Sequence, residues 1–302
     1  MNVLITGGSG MIGKRLTELL IQRGHQVSHL GRTKRSGAVN SFVWNVDRHE
    51  IDPRAFDNID AIVHLAGAGI GDKRWTKKRK NEILDSRVNS TRLLHDELKT
   101  RNHAVRTFVA ASAMGYYGFE NAQEVFTEDS APGKDFLARV TDQWEREADT
   151  LNDLGLRLVK VRTGIVLSND GGVLKELLRP IMLYAGAPLG SGNQFLSWIH
   201  IDDHCGIIIK ALEDQTMKGP YNSVAPNPVT NRELIKAIAK VVQRPMFLPP
   251  VPAVLLKLLL GEMADLVLYG NKISGQKIMD SGYRFRFVHV TDALNDLLVT
   301  KD

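Results

Sequence analysis

Residues 2–31 constrain this chain more than any other stretch. "NVLIT" (2–6) is a short apolar strand, "TGGSGMIG" (6–13) a glycine-rich turn, 11–23 an amphipathic helix and "QVSHLG" (26–31) a second strand. Two strands joined through a helix lie parallel, with the helix crossing one face of their sheet. Gly7, Gly10 and Gly13 are spaced G-x-x-G-x-x-G. Gly7 permits the tight turn out of the strand, Gly10 lets backbone approach a pyrophosphate, and Gly13 lets the helix settle on the sheet. The helix N-terminus offers free N–H groups and partial positive charge to phosphates. Gly7, Ser9, Gly10, Met11, Ile12 and Gly13 are therefore expected to cradle a dinucleotide.

The same rhythm continues. Apolar runs at 41–46, 61–67, 107–113 and 157–167 alternate with helical stretches at 76–100 and 135–154. Such runs separated by helices indicate an α/β fold, a doubly wound parallel sheet of the Rossmann type. After residue 168 helices dominate: 173–185, 203–214 and 230–243, the last with Thr230 as its N-cap. We expect a nucleotide-binding domain over 1–167, with 197–226 returning to the sheet. The remainder of 168–302 forms a smaller, mostly helical substrate lobe. The apolar stretch 251–268 is interrupted by Lys257, Glu262 and Asp265. Its unbroken pieces are too short to span a bilayer, and it reads as helix packed against the body.

The second strand selects the cofactor. An acidic residue at its end would bind the ribose hydroxyls of NAD. Between Gln26 and Ser36 there is none; the chain reads "LGRTKR". Arg32 is placed to grip a 2′-phosphate with both arms of its guanidinium, Thr33 to donate a hydroxyl, and Lys34 or Arg35 to add charge. The expected cofactor is NADP(H).

With these residues in place the chain resembles the extended short-chain dehydrogenase/reductase (SDR) superfamily, the NAD(P)-dependent epimerases and dehydratases. The matching stretches are "TGGSGMIG", "HLAGA" (64–68), "VNSTRLL" (88–94), "ASAMGYYG" (111–118) and "WIHIDD" (198–203). It looks more specifically like the atypical, epimerase-like subgroup with its own C-terminal domain. The resemblance implies that Leu65, Ala66 and Gly67 lie along the adenosine half of the cofactor, and Val166 near the nicotinamide. Glu82 and Arg87 match positions near the cofactor; an i,i+5 surface charge pair is the competing reading.

Most of the superfamily carries Tyr and Lys four residues apart on the helix after the fifth strand. The tyrosine exchanges a proton with the substrate and the lysine lowers its pKa. Here Phe136 and Val140 occupy those places, and the chain has no other Tyr-x-x-x-Lys. The remaining catalytic candidates are Ser112, at the end of the fifth strand, and Tyr116 and Tyr117 on the loop that follows. The resemblance thus implies an NADP(H)-dependent oxidoreductase or epimerase acting on a carbonyl or hydroxyl, with a nucleotide-linked sugar as one substrate class. A non-catalytic NADP(H)-binding regulator or redox sensor is the alternative.

Other features narrow the field. The 302 residues carry 43% hydrophobic and 24% charged side chains, a net charge of +5 and one cysteine. This composition suits an ordinary soluble globular protein, and a lone thiol fits a reducing compartment. Cys205, in "HCGIIIKAL", reads as buried filler. Without a charged leader before the first strand, the expected location is the cytoplasm and no membrane partner is expected. The basic run "KRWTKKRK" (73–80) is too short for a nucleic-acid surface and reads as a solvated face or anionic-substrate rim. "HIDDH" (200–204) reads as a helix start capped by Asp202 or Asp203, so no metal site is expected. "GSGNQFLSW" (190–198) offers Ser191, Asn193, Gln194 and Trp198 to a polar ligand or to none. The expected partner is a small molecule; a homo-oligomer is possible.

Overall fold

The computed structural model describes residues 1–119 and 124–299. The strands are β1 (Asn2–Thr6), β2 (Gln26–Gly31), β3 (Asn40–Asn45), β4 (Glu50–Ile51), β5 (Ala61–His64), β6 (Thr107–Ala113) and β7 (Val125–Phe126). Further along come β8 (Arg157–Thr163), β9 (Ile165–Leu167), β10 (Phe195–Leu196), β11 (Trp198–His200), β12 (Gly219–Ser223), β13 (Val229–Thr230) and β14 (Lys272–Ile273). The helices are α1 (Met11–Gln22), α2 (Lys77–Thr100), α3 (Phe136–Asp149), α4 (Gly172–Met182) and α5 (Ile201–Glu213). The C-terminal part adds α6 (Asn231–Val241), α7 (Ala253–Leu260), α8 (Asp265–Leu268), α9 (Gln276–Asp280) and α10 (Val290–Leu298).

Eight strands form the central sheet, in the order β12-β8-β6-β5-β1-β2-β3-β4. Every pair is parallel except β3 with β4. The order reverses beside β1, where the crevice for a ligand opens at the strands' carboxyl ends. Alternation along β1 divides the core. Val3 and Ile5 face one layer with α1 and α5, while Leu4 faces the other with α2 and the end of α3. A third apolar cluster joins α4, α6 and α10 around Leu234, Ile238 and Trp198.

Several expected elements differ in extent. The run 157–167 changes partner at Gly164: β8 pairs with β12, and β9 then pairs with β11. The 61–67 strand stops at His64, because Leu65 and Ala66 turn their amides onto Thr6 Oγ1. The 135–154 helix ends at Asp149 and tightens into a 3-10 turn over Thr150–Leu154. β12 joins the central sheet, whereas β10 and β11 pair outside it.

The cap of α5 is also different. His200, not Asp202 or Asp203, caps it by accepting from the Asp202 amide. Asp202 instead pairs with Arg15, and Asp203 accepts from the amides of Arg286 and Phe287. The 251–268 stretch does not pack along its length. Of α7 only Leu256 is buried; Leu260 is partly buried, and Val254, Leu255, Leu258 and Leu259 turn to solvent.

Candidate functional site

The glycine turn is built for a close approach. Gly7 has φ +70°, and a side chain there would meet the Leu65–Ala66 peptide at 3.0 Å. A Cβ on Gly13 would lie 2.5 Å from Gly7 O, so α1 can sit this deep only with glycine at that position. No side chain caps α1 and its first turn carries no acidic residue. The free amides of Met11, Ile12 and Gly13 therefore face the crevice as an anion site, the fit a diphosphate requires. Ser9 and Gly10 are exposed at its rim.

Thr6 fastens the opposite wall. Its Oγ1 accepts from Leu65 and Ala66 N–H at 3.1 Å each, and lies 2.7 Å from His64 Nδ1. With both lone pairs occupied, the Thr6 hydroxyl donates to Nδ1. The imidazole proton then sits on Nε2, which donates to Ser90 Oγ at 3.1 Å, and Ser90 in turn donates to Ser86 O at 2.7 Å. Burial, with the Arg87 charge second, pushes His64 down to about 3, so the ring is neutral. The sequence shows only a histidine in an apolar strand; that buried position was the signal for this relay.

Arg87 is buried beneath the same loop. Its guanidinium donates to Ala68 O and Ile83 O and lies 5.2 Å from the Trp144 ring centroid. Burial, followed by repulsion from Arg79, lowers it to about 10. Arg87 thus holds the Gly67–Ala68 backbone. Glu82 does not pair with it: Glu82 is exposed and bridges to Arg79 at 2.8 Å, and Arg79 donates to Gly69 O. The i,i+5 pair is therefore not formed. Val166 is buried in one cluster with Met11 of the first turn of α1.

The end of β2 is basic and open. Arg32, Thr33, Lys34 and Arg35 are exposed, and none of the three cations forms a salt bridge with a described residue. His29, one turn of chain earlier, packs against Gly8 and bonds to Thr17 Oγ1 at 2.8 Å. Burial and then the Arg35 charge hold it below its ordinary value.

Beyond β6 the catalytic candidates meet a buried polar network. Ser112 Oγ donates to Glu145 Oε1 at 2.6 Å, and Arg162 grips both Glu145 oxygens at 2.8 and 3.0 Å. Tyr117 donates to Asn222 Oδ1 at 2.6 Å and accepts from Arg162 at 3.0 Å. Burial would raise Glu145, but the bonds and charge of Arg162, with Ser112, outweigh it and hold the carboxyl below its usual range. Burial pushes Tyr117 up to about 12 against the pull of Arg162. Tyr116 differs. It is half-buried, its ring stacks 3.6 Å from the Arg162 guanidinium, and its hydroxyl bonds to no described residue. Glu145, Arg162 and Asn222 were not legible as site residues, since they lie far apart in sequence and only the fold brings them together.

Phe136 and Val140 lie in an apolar cluster with Trp75, Ile83 and Met263. The α3 positions nearest the turn after β6 are Leu137 and Thr141, which a Cβ on Gly115 would meet at 3.3 and 3.5 Å. Neither register supplies an acid and a base. A groove of about 310 Å³ opens beside Phe136, lined by Trp75, Lys77, Lys80, Asn81 and Glu262. Trp198 and Gln194 do not face a ligand: Trp198 is buried with its indole N–H on Asn227 O, and Gln194 donates to Leu189 O and Val267 O. Cys205 is buried, as expected. A larger groove of about 530 Å³ lies between α1, α5 and residues 283–286, but no residue of the glycine turn lines it. Among the described residues no cluster suits a metal ion.

Fold and site together define a dinucleotide-binding sheet of the extended SDR type. Residues 3–223 match the NAD dependent epimerase/dehydratase family, and 251–297 match a domain of unknown function, DUF1731. The chain belongs to the NAD dependent epimerase/dehydratase family. It is 36% identical over 304 residues to the epimerase family protein YfhF of Bacillus subtilis (strain 168), covering 100% of this chain and 99% of that one. The crystal structure of human epimerase family protein SDR39U1 (isoform 2) with NADPH superimposes with a TM-score of 0.88 at 32% identity, over 98% of this chain and 99% of that one. A nucleoside-diphosphate sugar epimerase from Corynebacterium glutamicum has a TM-score of 0.80 at 31% identity, over 99% of this chain and 58% of that one.

Proposed function

We propose that the chain binds NADP(H) at the carboxyl ends of β1, β2, β5 and β6 and uses it on a carbonyl or hydroxyl of a small-molecule substrate. One observation carries this reading: the N-terminus of α1 is uncapped, and the chain leaving β2 presents Arg32, Lys34 and Arg35 with no acidic residue between Gln26 and Ser36. The NADPH bound by the human relative supports it. When bound, the nicotinamide supplies hydride transfer. The chain's own part is to bind and orient. Amides of the glycine turn hold the diphosphate, Arg32, Thr33 and Arg35 the 2′-phosphate, Leu65–Gly67 line the adenosine, and Met11 with Val166 border the nicotinamide end.

Ser112, Tyr116 and Tyr117 remain the residues for the proton. Ser112 and Tyr117 already donate to Glu145 and Asn222, so we assign proton exchange to Tyr116 and a positioning role to the other two. The groove of Trp75, Phe136, Lys77 and Lys80 pairs aromatic faces with cations, which suits a substrate carrying a phosphate or carboxylate. A nucleotide-linked sugar is the first class to test.

Purified protein with NADPH and a carbonyl panel should show steady loss of the nicotinamide absorbance. Tyr116→Phe should cut turnover at least about a hundredfold, the lower end of what a positioned proton donor contributes, with NADPH affinity unchanged. Wild-type turnover in that variant contradicts the assignment. The occupied hydroxyls of Ser112 and Tyr117, with no Tyr/Lys pair, favour a second reading: a non-catalytic NADP(H)-binding regulator. Tight binding without turnover across the panel would select it.

A further inference from the structure

Exposed apolar surface is concentrated in one segment. From Pro245 to Leu260 the chain reads "PMFLPPVPAVLLKLLL", with Lys257 its one charge. Phe247 is 68% exposed, Val254 80%, Leu258 72% and Leu259 64%. At 100° per residue, Val254, Leu255, Leu258 and Leu259 fill an arc of roughly 140° on α7, turned away from buried Leu256. Single exposed leucines need no explanation, but a short helix that turns most of its apolar residues outward does.

The far end of α7 adjoins the basic run 73–80. A side chain on Gly261 would lie 2.8 Å from Arg74 Nε. Lys80 pairs with Glu262, and Leu260 packs in the cluster of Trp75 and Phe136. Lys73, Arg74, Lys77 and Lys78 are exposed, and none forms a salt bridge with a described residue. An apolar helix face flanked by exposed cations matches a bilayer interface, where acyl chains receive the leucines and anionic headgroups the cations. A two-fold pairing of this chain through the same face would set these cations near their own copies.

We infer that α7 and residues 73–78, the loop before α2 and its first two residues, form a docking face for an anionic lipid bilayer, with α7 lying in the interface. No described helix is long and apolar enough to cross a membrane, so the contact is peripheral. The groove beside Phe136 opens next to this face, since Trp75 and Lys77 line it.

Co-sedimentation of the full chain with vesicles tests this, using phosphatidylcholine alone or mixed with phosphatidylglycerol. Partition onto the anionic vesicles should be at least about tenfold stronger and should weaken with salt. Leu258→Asp with Leu259→Asp should reduce it at least about tenfold, and Lys73→Gln or Lys78→Gln roughly fivefold for each charge removed. These variants should keep wild-type affinity for NADPH, which reports an intact fold. The inference is overturned by absence of partition, by equal partition onto both vesicle types, or by wild-type partition of the double leucine variant. It is equally overturned if sedimentation velocity shows a dimer that the leucine variant abolishes, which would make the face a contact between copies.

Discussion

Ser112 and Glu145 stand 33 residues apart, yet one hydrogen bond between them decides what the serine can do. A hydroxyl that donates to a buried carboxylate has no proton left for a substrate, which is why we propose Tyr116 for the proton step. Sequence could nominate Ser112, Tyr116 and Tyr117 by their place at a strand end. It could not show that Glu145 and Asn222, the latter 105 residues beyond Tyr117, would occupy two of the three. Glu145 and Arg162 form a buried pair, so removing one partner strands the other charge. Glu145→Ala should lower the unfolding free energy by about 3–5 kcal/mol. Ser112→Ala, which removes one bond to a charged group, should cost about 1.5–3 kcal/mol. Urea denaturation measures both. A loss below about 1 kcal/mol for Glu145→Ala would show that the pair does not hold the site.

At the scale of elements, β1, the glycine turn, α1 and β2 were legible because local rules suffice there. Strand, turn glycines and helix period all lie within one short segment. The same local rules misread α7. An apolar run predicts a helix, but hydropathy carries no information about which partner covers it. The pairing of β9 with β11 was hidden for a related reason, since one apolar run gives no sign of a change of partner within it. The glycine turn yields a sharp expectation. In Gly13→Ala the added methyl would meet Gly7 O and the Gly8 backbone, which cannot move aside as a flexible side chain can. We expect NADPH binding to weaken at least about tenfold and stability to fall by about 1–3 kcal/mol, read by calorimetry and thermal melts. Unchanged binding would mean that α1 need not sit this deep.

Across the whole molecule, three buried histidines set the response to acid. Burial lowers His64 to about 3 and His204 to about 4. Burial also lowers His200 to about 4, against the pull of Asp202 and Asp296. The unfolded chain protonates these rings below about pH 6.5, while the folded chain does not until about pH 4 or below. The unfolded state therefore binds more protons in that window, and stability falls as pH drops through it. Each ring contributes about 1.4 kcal/mol per pH unit once well below 6.5. Glu145 and Asp202, held low by Arg162 and Arg15 against burial, extend the loss at lower pH, while Asp203, raised by burial, offsets part of it. Urea midpoints at pH 7.5, 6 and 5 should fall steadily, and a flat profile from 6.5 to 5 would contradict neutral buried rings.

The parallel sheet and its crevice could be read from alternating strands and helices, but the charge states of these histidines could not, because burial is a property of the assembled chain. The central claim, that Arg32 and its neighbours select a phosphorylated adenosine at the edge of β2, is tested most directly by isothermal titration calorimetry. NADPH and NADH are titrated into the wild-type protein and into Arg32→Ala. The account predicts NADPH preferred by at least about tenfold in the wild type, with most of that preference lost in the variant, as removal of a charge-assisted phosphate contact requires. Equal affinity for the two cofactors, or a preference untouched by the substitution, would contradict it.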